Sequence, residues 1–245
     1  MPELANKNDT KQRKGNYRAI AIHQPNYFPW LGYFFKIFQS DLFVFLDDVQ
    51  YTNEGMQDYQ YIKTPQGSFR LRIPINKKFG QKIKEVTIKD ELNWRKKHLR
   101  TIEMNYKKAP YFDTVFPDFY TLIINSSPYL SDLDRLIIEF ICKKFGIHTA
   151  FINSSELSID SQREEKILDI CSALDANIYL SGIGAKAYQN PRNFQKRGIK
   201  LKYSTFKQFE YPQLWGSFQN NVSIIDYLMN CGYNWNRVLD NQKSN

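Results

Sequence analysis

Cysteine, histidine and long apolar runs are all scarce in this chain of 245 residues. It holds 3 Cys and 3 His, and without any CxxC pair the spacing of a structural zinc site is missing. No apolar run approaches the roughly 18 residues of a transmembrane helix, and the polar first residues predict no secretory leader. The separated cysteines fit a reducing, cytoplasmic location, and each is expected to be buried.

Familiar phosphate and nucleic-acid signatures are also missing. No GxGxxG follows the first predicted strand, and the GxxxxGK[ST] spacing of a Walker loop is absent. Without zinc-finger spacing, an RNP-like motif or a heptad array, nucleic acid is not the expected partner. The net charge of +9 indicates first a solvated surface, and second attraction to an acidic ligand such as a nucleotide, a sugar phosphate, RNA or a membrane surface.

Aromatic residues, by contrast, are abundant at 16% of the chain, within a hydrophobic share of 42%. This composition is sufficient for a large core and excludes disorder of the whole chain. The polar, basic residues 1–16 predict a disordered tail. Residues 17–235 predict a single α/β domain, and residues 236–245 predict a flexible C-terminal tail.

Short apolar strands alternate with helices along most of the sequence. Residues 17–23 and 42–47 have strand length, and residues 30–38 show helical spacing, which together predict a βαβ unit. Residues 50–90 instead predict an antiparallel β insertion with a hairpin. Ser161 and Glu164 predict the capping box of a later helix. The whole pattern predicts a mostly parallel, Rossmann-like, three-layer α/β sheet with helices on both faces.

His23 is the strongest single candidate for chemistry. It ends the first strand, in a polar loop that Pro25 and Pro29 hold ahead of a helix. A neutral imidazole there could donate to a phosphate or act as a general base, or it could simply be satisfied by backbone groups. His98 and His148 are expected to be structural.

Polar residues also follow the other predicted strands, where open α/β sheets bind their ligands. Asp47 and Asp48 end the second strand, and either could bind Mg²⁺, a sugar hydroxyl or an amine, or start a turn. Their side chains should point to opposite sides, because successive residues of an extended chain do so. The segment LSGIGAKAY allows close backbone approach at its glycines, and its Lys186 could meet a phosphate, although a plain turn explains it as well.

Several segments, in order, resemble the WbqC-like family: HQPNYFPWLGYFFKI, SDLFVFLDDVQY, the IKTP-G piece, SSEL, YLSGIGAKAY and SIIDYLMNCG. The resemblance covers about residues 19 to 232. It implies a bacterial cytoplasmic protein of O-antigen or related surface-polysaccharide biosynthesis, which transfers glycine or another small acyl group to an amino sugar. The positions that match the family's recurring residues are His23, Gln24, Pro25, Asn26, Trp30, Asp47, Asp48, Gln50, Ser155, Ser181 and Gly182.

The sequence departs from the family at one place. Where members usually carry an Asn-Arg pair, this chain has Asp58 and Tyr59. Loss of an arginine removes a bidentate partner for an anion. Either the substrate differs, or activity is impaired, or Lys63, Arg70 or Arg72 supplies the charge.

The expected site combines residues chosen from their positions at strand ends with residues that match the family. His23 and Asp47 are the expected catalytic residues, and no metal ligands are predicted. The expected substrate-binding residues are Gln24, Asn26, Trp30, Asp48, Gln50, Lys63, Ser155, Ser181, Gly182 and Lys186.

Several functions stay open on these residues. The first is an aminoacyl or acyl transferase that acts on a nucleotide-linked amino sugar. The second is a non-catalytic sugar-nucleotide binding or scaffold protein, and the third is an RNA-binding protein. A fold-level analogy with HxGH nucleotidyltransferases allows an adenylate-forming enzyme that uses ATP and Mg²⁺, or another activated acyl donor. The oligomeric state is not indicated.

Overall fold

The structure is a computed structural model that describes residues 19–125 and 127–243. The predicted basic tail of residues 1–16 lies outside these ranges, as do residues 244 and 245 of the predicted C-terminal tail. Within the described ranges, no helix is both long and apolar enough to cross a membrane. All three cysteines are buried and free, as their apolar sequence surroundings predict.

Five parallel strands form the central sheet in the order β7-β2-β1-β8-β9. This arrangement confirms the predicted mostly parallel α/β sheet. The strands of this sheet are β1 (Ala19–His23), β2 (Leu42–Phe45), β7 (Ala150–Asn153), β8 (Ile178–Gly182) and β9 (Lys200–Ser204).

The insertion between β2 and the later helices is antiparallel, as predicted. It contains two separate two-stranded sheets. The first is a hairpin whose tight turn uses Gly67 at φ 103°, a conformation that glycine adopts readily. The strands are β3 (Tyr59–Thr64), β4 (Gly67–Arg72), β5 (Ile75–Asn76) and β6 (Thr87–Ile88).

Eight α-helices within the described residues surround these sheets. They are α1 (Leu31–Phe38), α2 (Trp94–Tyr106), α3 (Phe112–Ile124), α4 (Leu130–Phe145), α5 (Arg163–Ala173), α6 (Pro191–Lys196), α7 (Ile224–Cys231) and α8 (Trp235–Lys243). Short 3₁₀ turns occupy residues 83–85, 90–92, 154–157 and 183–188.

Both faces of the central sheet are covered, because side chains alternate along each buried strand. Ile20 and Ile22 of β1 join a core cluster with residues of α5 and α6. Ala21, between them, joins a second and larger cluster with residues of α1 and α4. Because both faces of the sheet are buried, β1 and β2 are apolar on both of their sides.

Two local expectations from the sequence differ from the structure. Residues 235–243 form a helix rather than a flexible tail, because Trp235 and Val238 pack into the core. Ser161 and Glu164 do not form a capping box: α5 begins one residue later, with Gln162 at its N-cap. The Glu164 carboxylate instead accepts hydrogen bonds from Asn190 N and Asn193 Nδ2.

The strand order reverses between β1 and β8. The chain moves from β1 to β2 through α1 on one face of the sheet, and from β7 to β8 through α5 on the opposite face. Right-handed crossovers require opposite faces when the direction of travel changes. In open parallel sheets such a switch point is where ligands bind, outside the carboxyl ends of the strands.

Candidate functional site at the carboxyl edge of the sheet

The sheet splits at its carboxyl edge, at this same switch point. β1 pairs with β8 only from Ala19 to Ala21, opposite residues 178–180. On its other side β1 remains paired with β2 through His23, while β8 remains paired with β9 through Gly182. We call the place where the two strands part the β1–β8 gap. His23, Ser181 and Gly182 stand at its two sides.

His23 is solvent-exposed, and its ring is fixed on one side. Its Nδ1 lies 3.0 Å from Gln24 O, and the Tyr33 ring meets it edge-on at 4.9 Å between centroids. Because a carbonyl oxygen only accepts hydrogen bonds, Nδ1 carries the hydrogen in this geometry, which leaves the lone pair of a neutral ring on Nε2.

The charge state of His23 is set by its surroundings. The ring is accessible to solvent on one side, but many protein atoms lie around it beyond its direct contacts. This desolvation, together with the positive charge of Lys36, lowers the pKa of His23 to about 3. The contacts with Gln24 and Asn26 act in the opposite direction and are weaker. His23 is therefore neutral at physiological pH.

Lys36 is a buried cation next to this histidine. Its side chain is 5% exposed, and Nζ donates to Ile22 O at 2.9 Å. None of the carboxylates in the described ranges forms a salt bridge with it. Burial lowers the pKa of Lys36 to about 7, since the hydrogen bond to Ile22 O only partly replaces the water lost around its charge.

The influence of Lys36 on His23 can be measured directly. In Lys36→Met, the pKa of His23 is expected to rise, because the neighbouring positive charge that opposes its protonation is gone. An NMR titration of the imidazole nitrogens would follow this change, with exposed Lys196→Met as the charge-matched control. An unchanged His23 pKa in Lys36→Met would leave burial alone as the cause.

The loop after β1 is held by hydrogen bonds from distant residues. Gln24 Oε1 accepts from Gln57 Nε2 at 2.7 Å, and Gln24 O also accepts from Tyr33 Oη at 2.9 Å. Asn26 Nδ2 donates to Gly55 O at 2.6 Å. Gln24 and Asn26, both predicted to bind substrate, thus tie the loop to residues 55–57. These contacts fix the position of His23.

Trp30 packs onto the beginning of α1 rather than standing free. Its ring meets Phe206 edge-on at 5.6 Å. It also covers Gly32 so closely that a Cβ there would lie 2.1 Å from a ring carbon. Glycine at position 32 therefore makes room for the indole, which is an aromatic wall next to the loop that follows β9.

Asp47 belongs to a tight polar cluster with two serines. It is 3% exposed, and its carboxylate accepts from Ser155 N at 3.0 Å and from Ser155 Oγ at 2.8 Å. Ser154 Oγ lies 3.1 Å from Asp47 Oδ1. The Asp47 oxygens are therefore used to hold the turn after β7, and Ser155 is one of their donors.

Asp48 points toward α5 instead. Its Oδ2 accepts from Lys166 Nζ at 2.8 Å, and Oδ1 accepts from Ser154 Oγ at 2.5 Å. Burial opposes ionisation of Asp48, yet the hydrogen bonds from Lys166 and Ser154 outweigh it and lower the pKa of Asp48. Asp47 and Asp48 thus accept hydrogen bonds from different elements, Asp47 from the turn after β7 and Asp48 from Lys166 of α5 as well.

Two predicted basic residues have other surroundings. The Lys63 ammonium contacts oxygens of the loop after β9: Ser217 O at 2.6 Å, Gln213 Oε1 at 3.1 Å and Gly216 O at 3.4 Å. These contacts use its donors to anchor that loop. Lys186 is exposed in the turn after β8, with Nζ 6.0 Å from the Tyr203 ring centroid, and so stays on the β8 side of the gap.

The departure at position 58 has a clear structural counterpart. Asp58 is fully buried, and Arg72 Nε donates to its Oδ2 at 2.7 Å. Arg70 instead stacks over the Tyr59 ring at 3.8 Å. Of the three basic residues considered as substitutes for the missing arginine, Arg72 contacts Asp58, and Arg70 contacts Tyr59, which stands where the family has its arginine.

Sequence reasoning missed Lys36 and Lys166. Lys36 is the only charged residue of α1, between Phe35 and Ile37, and a lone charge within an apolar helix was the available signal. Lys166 gave a weaker signal, because a lysine in the charged segment REEK is typical of an exposed helix face. Its role as the partner of Asp48 depends on a contact 118 residues away.

Comparison with known proteins gives a consistent picture. The model of the WbqC-like protein family matches residues 24–238. The uncharacterized protein Rv1507c of Mycobacterium tuberculosis is 36% identical over 220 residues, which are 88% of this chain and 94% of that protein. No solved structure matches the chain significantly.

Proposed function

The chain belongs to the WbqC-like protein family, and on this premise we propose that it transfers a glycyl or another small acyl group to the amino group of a nucleotide-linked amino sugar. In the proposal the reaction takes place in the bacterial cytoplasm and serves the biosynthesis of O-antigen or a related surface polysaccharide. The observation that carries it is the neutral, exposed imidazole of His23 at the β1–β8 gap.

The proposed step is an acyl transfer to nitrogen. The lone pair of the sugar amine attacks the acyl carbonyl carbon, and a C–N bond forms. The bond from that carbon to its activating group breaks, and the leaving group departs with the electron pair. His23 Nε2 accepts the proton that the nitrogen loses, which makes the neutral amide product.

A base with a pKa near 3 is weak, so the bound substrate must strengthen it. An anionic group next to His23, such as the phosphate of an activated donor, would raise the pKa of the imidazole, because opposite charge stabilises the imidazolium. His23 would thus become an effective general base only after the donor has bound.

The other residues have supporting roles in this proposal. The backbone of Ser181 and Gly182, across the gap, is assigned the developing oxyanion, while the Ser181 hydroxyl is buried and contacts Gly182 O. Asp47 positions the turn that carries Ser155. Arg70, which stacks on Tyr59, would supply the positive charge that family members obtain from an arginine at position 59.

A second candidate is non-catalytic binding of a nucleotide sugar. The burial of Asp47 favours it, since Asp47 accepts hydrogen bonds from Ser155 N and Ser155 Oγ within the protein and is 3% exposed, which turns it away from a catalytic role.

The test is a product assay with the full chain. Nucleotide-linked amino sugars are incubated with glycyl-adenylate or with acyl-CoA donors, and mass spectrometry is used to detect the amide. We expect the mass of one acceptor to increase by one glycyl or acyl residue. Tight binding of an acceptor without product from any donor would instead identify a binding protein.

A further inference from the structure

A two-lobed groove lies next to the end of β2. Two cavities of about 380 Å³ and about 410 Å³ share Gln50 and Gly80 in their walls. We call the first, between Asp48, Lys82 and residues 159–163, the inner lobe, and the second, between residues 51–53 and 77–79, the outer lobe. Each volume falls within the range of small-molecule sites.

The inner lobe carries a small excess of positive charge: its wall holds Lys82, Arg163 and Lys166 together with two acidic residues, Asp48, which is paired with Lys166, and Asp160. Lys82 and Arg163 line it, and within the described ranges neither forms a salt bridge. Lys166, which is 4% exposed, lines the same wall and uses two of its three N–H donors on Asp48 Oδ2 and Ile159 O. Its third donor remains available to a ligand.

The outer lobe combines two lysines with aromatic surface. Lys77 Nζ lies 5.4 Å from the Tyr51 ring centroid, and Lys78 lines the same lobe. Phe79 is 102% exposed, which is unusual for phenylalanine. None of the described residues around this lobe is acidic, so an anion that enters it meets positive charge and an exposed aromatic face.

We propose that the groove binds a nucleoside diphosphate group, with the diphosphate in the inner lobe against Lys82, Arg163 and Lys166, and with the base on Phe79. Positively charged hydrogen-bond donors bind phosphate strongly, and every nucleobase has an aromatic face that can stack on a ring. The inference rests on the proposed function in one respect: the nucleotide would be the carrier of the amino sugar.

The groove is within reach of His23. Leu46 N donates to His23 O at 2.8 Å, and Asp48, in the wall of the inner lobe, follows two residues later. Two extended residues span at most about 7 Å. The inner lobe and His23 therefore lie at neighbouring strand ends, and the proposal places the sugar of the bound nucleotide between them.

The experiment is calorimetric titration of the full chain with UDP, ADP and pyrophosphate at low salt. We expect saturable binding of at least one nucleotide. The double variant Lys82→Ala/Arg163→Ala should weaken it by about tenfold or more, because two charge-assisted contacts are lost. Phe79→Ala should weaken nucleotide binding and leave pyrophosphate binding unchanged, and His23→Ala should bind normally.

The control double variant, Lys107→Ala/Lys108→Ala, removes the same charge from an exposed position outside the groove. An equal loss of affinity in this control, or no loss in the groove variant, would overturn the inference. So would a nucleotide that binds no better than pyrophosphate, or no binding at all. Transfer that disappears in His23→Ala with nucleotide binding unaltered tests the proposed reaction separately.

Discussion

Replacing His23 by alanine is expected to lower the rate of transfer by about 10²–10⁴, the usual effect of losing a general base, with the melting temperature nearly unchanged. The ring is exposed and its polar contact is to an adjacent carbonyl, so its removal leaves the core intact. Turnover and the melting curve should be measured on the same preparation.

The matched control is His148→Ala. His148 is also exposed, but it precedes β7 and so lies at the opposite edge of the sheet. We expect wild-type turnover in this control. If His23 is only a structural partner, its loss should lower stability by roughly 1–3 kcal/mol, with activity reduced only in proportion to unfolding. A destabilised but fully competent His23→Ala variant would remove the residue from the mechanism.

Replacing Asp134 by alanine is expected to stabilise the protein at neutral pH. Asp134 of α4 is 0% exposed, and neither carboxylate oxygen has a hydrogen-bond partner among residues 19–125 and 127–243. An unsatisfied buried polar group costs roughly 1–3 kcal/mol, and alanine removes it without overpacking while favouring the helix. In a chain of this size each kcal/mol corresponds to roughly 2–4 °C in melting temperature.

The same carboxyl group should give stability a distinct pH dependence. Burial, and then the charge of Asp58, raises the pKa of Asp134 well above its usual range. Burial likewise raises the pKa of Asp226 to about 6. In both cases the folded state binds the proton more tightly than the unfolded state. Stability should therefore fall as pH rises from about 4 toward these folded-state pKa values.

Denaturant unfolding between pH 4 and pH 8 would show both effects. In Asp134→Ala, stability at pH 7 should increase and its decline with pH should become shallower, with the part due to Asp226 remaining. The control Asp132→Ala changes an exposed aspartate of the same helix and should show no gain. A destabilised Asp134→Ala variant with the original pH dependence would show that Asp134 has a stabilising partner.

Much of the fold could be predicted because its elements carry local patterns. The apolar runs of β1 and β2 and the helical spacing of α1 are visible within a few residues. The helix at residues 235–243 was missed because its apolar residues are few and most of its length is polar. The strand order could not be predicted, since the pairing of β1 with β8 joins residues far apart in sequence.

The candidate site was predictable only as a set of residue types at strand ends. The structure places His23, Ser181 and Gly182 at the β1–β8 gap and Asp47, Asp48 and Ser155 at the ends of β2 and β7. The sequence does not show which polar side-chain atoms are already engaged in hydrogen bonds within the protein. Asp47 is occupied by serines more than 100 residues away, and Lys63 by a loop about 150 residues away.

The central position of β1 has a consequence for synthesis of the chain. Ala19 pairs with Ile178, 159 residues later, so β1 is synthesised long before its second neighbour. Until then the edge of an apolar strand, AIAIH, stays unpaired and able to join other chains. A prematurely ended polypeptide that stops before residue 178 would keep that edge permanently, and such fragments should aggregate rather than fold as smaller domains.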